Sequence, residues 1–104
     1  MLPQDHHRRG KPLSQDSAEA VALQAVAFIA GDPAKLEALL RVTGVTPQDL
    51  RERLGDRAFL VGVLDFLLDY EPRLMEFCSA SGLDPAVPAA ARFALEPPAD
   101  SHHI

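Results

Sequence analysis

The run RAFLVGVLDFLLDY, from Arg57 to Tyr70, constrains the fold more than any other stretch. Wound as a helix at about 100° per residue, it spreads Phe59, Leu60, Val61, Val63, Leu64, Phe66, Leu67, Leu68 and Tyr70 over most of the circumference. What remains is a narrow strip of Ala58, Gly62, Asp65 and Asp69. A helix apolar almost all round needs neighbours on several sides, so it belongs in an interior. Each of its large side chains contributes roughly 1.5–3 kcal/mol when fully buried. It is too short and too acidic to cross a bilayer, which takes about 20 apolar residues. The expected architecture is therefore all-α: a compact bundle of five to six short helices around a central apolar helix at about 57–70.

The rest of the chain fits one such domain. Its 104 residues leave room for a helical unit over 14–95, a flexible basic N-terminal arm over 1–13 and a flexible tail over 96–104. Alanine and leucine dominate and strand formers are sparse, which favours helix. The arm carries Arg8, Arg9 and Lys11 against Asp5, a charge of +2, whereas 14–95 sums to −5. An acidic domain argues against general nucleic-acid binding. The single Cys78 excludes an internal disulfide and fits a reducing compartment. No apolar segment follows the N-terminal basic residues as in a secretory signal, so the expected location is the cytoplasm.

Capping residues divide the domain. Ser14-Gln15-Asp16-Ser17 offers caps for a first helix over Ala18–Ala30, stopped by Gly31. Asp32-Pro33 opens a second helix that ends before Gly44, with Leu36, Leu39 and Leu40 inward and Lys35, Glu37 and Arg41 outward. Thr46-Pro47 opens a short third helix to Leu54, and Asp56 caps the central one. Glu71-Pro72 starts a fifth helix with Leu74, Met75, Phe77 and Cys78 inward, ending at Gly82. Asp84-Pro85 precedes a sixth, which Pro88 delays, because proline pushes Val87 toward extended geometry and removes a donor.

The two halves echo each other. Gly44-Val45-Thr46-Pro47 returns as Gly82-Leu83-Asp84-Pro85 at an offset of 38, and Asp32-Pro33 returns as Glu71-Pro72 at 39. Either a three-plus-three helix pseudo-repeat or generic capping chemistry produces such a match.

Candidate binding residues are few. Asp65 and Asp69, four apart on the central helix, present carboxylates to a partner's Arg or Lys, or else simply meet water or an internal arginine. They lack the larger oxygen set that calcium or magnesium requires. Arg51, Arg53 and Arg57 form a local basic group, but Asp49, Glu52 and Asp56 offset it, and the helix that follows is too apolar to read base edges. Cys78 has no basic neighbour to lower its pKa, so it reads as core packing. His6, His7, His102 and His103 would chelate a metal only if the two ends met. No nucleophile elbow, P-loop, CxxC or HExxH occurs, so the chain is read as neither an enzyme nor a cofactor protein.

Leu23-Gln24-Ala25, Asp32-Pro33, Thr43-Gly44 with Pro47, the stretch Phe59–Asp69, and Gly82-Leu83 with Pro85 together resemble a family of small helical proteins from alphaproteobacteria, catalogued as a domain of unknown function. The resemblance implies an all-α bacterial protein with no assigned activity, and it transfers no functional residues. Members are often encoded near response-regulator genes, which implies a link to signalling. The leading expectation is a non-enzymatic protein–protein interaction module with no membrane span. The alternative is a weak nucleic-acid or anionic-surface binder using the basic arm with Arg51, Arg53 and Arg57.

Overall fold

Several helix starts in this protein are set by short side chains that bind the first free amides, and the computed structural model describes residues 13–96. Ser14 Oγ accepts from the Ser17 N–H at 3.1 Å and starts α1, Gln15–Ala30. The Asp32 carboxylate accepts from Ala34 N–H at 3.0 Å ahead of α2, Pro33–Thr43. Thr46 caps a 3-10 turn, Pro47–Asp49, which runs into the single turn α3, Leu50–Arg53. Asp56 accepts from Ala58 N–H at 3.0 Å and starts the central helix α4, Arg57–Leu68. Helices α5, Glu71–Ser81, and α6, Ala86–Leu95, complete the bundle, and no strand occurs among the described residues.

The apolar helix is central in the structure too. α4 packs against α1, α2, α5 and α6, and α6 also lies along α1. Val63, Leu64 and Leu67 have no exposed surface, and Ile29, Leu39, Ala91 and Leu95 reach the same core from the neighbouring helices. Four alanine-sized or β-branched positions on α1, Ala18, Val21, Ala22 and Ala25, are buried, which lets the helix axes approach closely. Phe28 of α1 meets Phe77 of α5 edge to face, with ring centroids 5.6 Å apart. No polar side chain is buried among the described residues.

Several boundaries differ from the sequence reading, each for a local reason. α1 begins three residues earlier, because Ser14 rather than a later residue supplies the cap. The third helix divides, since Thr46 and Pro47 favour a tight 3-10 turn before the α turn. α4 stops at Leu68, leaving Tyr70 more than half exposed at the start of α5. Met75 points outward and is 44% exposed, not inward. Lys35, expected outside, is half-buried and spans to Glu76 of α5 at 3.3 Å. Pro88 lies inside the first turn of α6, where no intrahelical partner is required of its nitrogen, and is itself buried.

The internal echo extends to the backbone. α2 and α5 are both 11 residues long, carry proline in the first turn and stop at Gly44 and Gly82, whose φ angles are 77° and 76°. It then ends. After Gly44 come a 3-10 turn and one α turn that pack mainly on each other, whereas after Gly82 comes a ten-residue helix seated against α1 and α4.

The basic arm up to Lys11, the four histidines, and the tail beyond Glu96 lie outside the described residues. The two flanking residues join the fold. Leu13 packs partly buried against the core, and Glu96 pairs with Arg92.

Candidate functional site

The strip of small and acidic residues on α4 is partly covered: Gly62 and Asp65 are half-buried, while Ala58 and Asp69 are exposed. With the C-terminal end of α2 it lines a groove of about 480 Å³. One wall is Val42-Thr43-Gly44-Val45 and the other is Ala58, Gly62, Asp65 and Asp69, with the buried Phe59 and Phe66 between them. The opposing wall exists because α2 ends abruptly. Thr43 Oγ donates to Leu39 O at 2.9 Å, and Gly44 takes the left-handed conformation that turns the chain back. Gly62 lies against that wall, where a Cβ would make an ordinary contact with Thr43 Cγ2 at 3.6 Å.

The groove is acidic. Its lining holds one guanidinium, Arg53, against three carboxylates, Asp56, Asp65 and Asp69. Arg53 Nη1 donates to Asp56 Oδ2 at 3.2 Å while Asp56 Oδ1 caps α4, so that pair is neutralised. Asp65 is gripped from α6. Arg92 Nε donates to Oδ1 at 2.8 Å, Nη2 reaches Oδ2 at 3.4 Å, and Nη1 reaches Glu96 Oε1 at 2.6 Å. The Asp65 hydrogen bond holds the Arg92 guanidinium above its ordinary pKa. Asp69 is exposed and has no ion-pair partner among the described residues.

The predicted site residues therefore separate into two groups. Asp65 and Asp69 share the groove, as their spacing requires, and Arg53 joins them from across it. Arg51 stands apart beside Pro47, Leu50 and Leu54. Arg57 Nη2 donates to Gln15 Oε1 at 3.0 Å, joining the start of α4 to the start of α1. The three arginines do not make one basic face. Sequence reasoning missed Arg92, although it is the lone cation of an otherwise apolar helix, a pattern that calls for a buried or half-buried acid nearby. It also missed Arg73, which holds Phe66 in place.

A second, shallower cleft of about 650 Å³ lies between the α1–α2 corner and α5. Its one cation, Lys35, bonds both Asp32 at 2.9 Å and Glu76 at 3.3 Å, so its charge is already satisfied. Cys78 is buried, and that burial pushes its thiol pKa up, the reverse of what a nucleophile needs. Among the described residues no group of three or more metal-ligating side chains comes together.

A family model described as "Protein of unknown function (DUF3572)" matches residues 15–98. The chain belongs to this family. The match takes in every described helix and both walls of the groove, and it leaves out the basic arm. No curated protein and no solved structure matches the chain. None of the described helices is long and apolar enough to cross a membrane.

Proposed function

We propose that this protein is a non-enzymatic interaction module whose α2–α4 groove receives a basic, amphipathic segment of a partner protein. One observation carries the reading: the groove places apolar surface from the exposed Val42 and the half-buried Val45 beside carboxylates, of which Asp69 has no described partner. An occupant with alternating aliphatic and Lys or Arg residues would cover the former and pair with the latter. A cytoplasmic bacterial setting and a link to signalling belong to the same reading, and they rest on the resemblance to the alphaproteobacterial proteins. The nucleic-acid alternative has less support, because Arg51, Arg53 and Arg57 point to three different surroundings and Arg53 is already paired.

Selection of peptides from a displayed random library tests the reading. The recovered peptides should carry Lys or Arg next to aliphatic residues, lose most of their binding to an Asp69→Lys variant, and bind an Arg51→Glu variant unchanged. Recovery of acidic or uncharged peptides, or equal binding by Asp69→Lys, overturns it.

A further inference from the structure

Of the three carboxylates lining the groove, two are already occupied. Asp56 accepts from Arg53 through Oδ2 and from the Ala58 N–H through Oδ1. Asp65 accepts from Arg92 through both oxygens, at 2.8 and 3.4 Å, and Nη1 of the same guanidinium is fixed on Glu96 at 2.6 Å. Asp69 has no cationic donor among the described residues. It is also the C-cap of α4, where the helix's partial negative charge adds to that of the carboxylate and favours an incoming cation.

Asp65 and Asp69 are four residues apart on one helix, which places their Cβ atoms about 5–6 Å from each other. A basic segment lying along α4 would meet both if its cations stood about four residues apart in a helix, or about two apart in an extended chain. Arg92 already makes the first of those contacts. It reaches Asp65 from α6, 27 residues away in sequence, and is the one charged residue of that helix. A second cation brought to Asp65 would stand beside the guanidinium already there, so repulsion would offset the attraction.

We infer that Arg92 is a specificity-determining residue of the groove: by occupying Asp65 it leaves one cation site, at Asp69, and so selects segments with a single basic residue beside aliphatic ones over segments with two. This inference rests on the groove being a site for basic segments. Arg92 then works against the wrong partner rather than for the right one, because a polybasic segment gains nothing from its extra charge. Discrimination is left to the fit of aliphatic side chains against the exposed Val42 and the half-buried Val45.

The experiment titrates a library-selected peptide carrying one Lys or Arg, and twins with a second Lys two, three or four residues to either side. Each is measured against the unaltered protein and Arg92→Met at about 0.15 M salt, where attraction at long range is screened. The second Lys should change the affinity of the unaltered protein by less than about twofold. It should raise that of Arg92→Met about three- to tenfold at one of these spacings. The gain should be absent from Arg92→Met/Asp65→Asn, which locates it at Asp65. A tenfold gain with the unaltered protein overturns the inference, whether or not Arg92→Met folds. Equal effects of the second Lys on the two proteins, or a gain that survives Asp65→Asn, overturn it too and leave the groove reading standing. If the singly basic peptide binds Asp69→Lys as tightly as the unaltered protein, the groove reading falls and the inference with it.

Discussion

Arg73 and Phe66 clasp each other across the α4–α5 corner. The guanidinium carbon lies 3.7 Å from the centroid of the Phe66 ring, while Nε and Nη2 donate to the Phe66 carbonyl at 3.2 and 3.0 Å. That carbonyl sits in the last turn of α4, where intrahelical donors run out and a cation is favoured. One side chain thus caps the central helix and fixes an aromatic ring of the groove.

Arg73→Ala should destabilise the fold by about 1–3 kcal/mol, through the lost stack and the unsatisfied carbonyl. Arg73→Lys should recover only part of this, because an ammonium lacks the planar fork that stacks and donates twice. Urea unfolding of the three proteins checks the order.

Leu64 has no exposed surface, and Val42 on the groove wall is 67% exposed. Leu64→Ala is expected to cost about 2–5 kcal/mol. Val42→Ala should stay within about 0.5 kcal/mol in stability while weakening peptide binding. Both are read from denaturation midpoints and a peptide titration. A large stability loss at Val42 would mean that this wall is part of the core.

The Asp32 carboxylate is held below its ordinary value of 3.8, first by its bond to Lys35 and then by the Ala34 N–H. A folded pKa below the unfolded one means that the unfolded chain binds the proton more tightly. The stabilisation is therefore complete above about pH 4 and is lost as pH falls through the folded pKa. Asp32→Asn keeps a capping oxygen and removes the titration. Its thermal midpoint should fall less than the unaltered protein's between about pH 5 and pH 2.5. Parallel curves would refute the assignment.

Gly44 and Gly82 hold φ at 77° and 76°, and a Cβ at either would meet nothing within 4 Å. Substitution to alanine should therefore cost the left-handed backbone alone, about 1–2 kcal/mol, and nearly the same at both. Differential scanning calorimetry of the two single variants tests the equality. A much larger loss at one would show that its turn bears tertiary strain that the other does not.

The sequence made the bundle legible, because the local signals agreed. Asp32-Pro33, Thr46-Pro47 and Asp56 each start an element in the structure, and the run from Phe59 to Leu68, apolar except for Asp65, takes the centre. Helix ends were harder to read. Tyr70 continues the apolar pattern, yet Asp69 ends α4 and the Pro72-led helix claims Tyr70 as its start. Half of the site was also legible, since period alone places Ala58, Gly62, Asp65 and Asp69 on one line. The other half was not. Val42 and Val45 oppose that line only because α2 crosses α4, and Arg92 meets Asp65 from 27 residues away. Such pairings depend on how helices cross, which no local pattern encodes.

The wholly apolar interior has a consequence for how such a chain diverges. With no polar side chain buried among the described residues, the core prescribes volume and shape but hardly any chemistry. Leucine, isoleucine and methionine can trade places there at small expense if the total volume is kept. Descendants of one ancestor would then drift apart quickly inside while retaining the same bundle, and their kinship would be easiest to trace through the punctuating prolines and glycines.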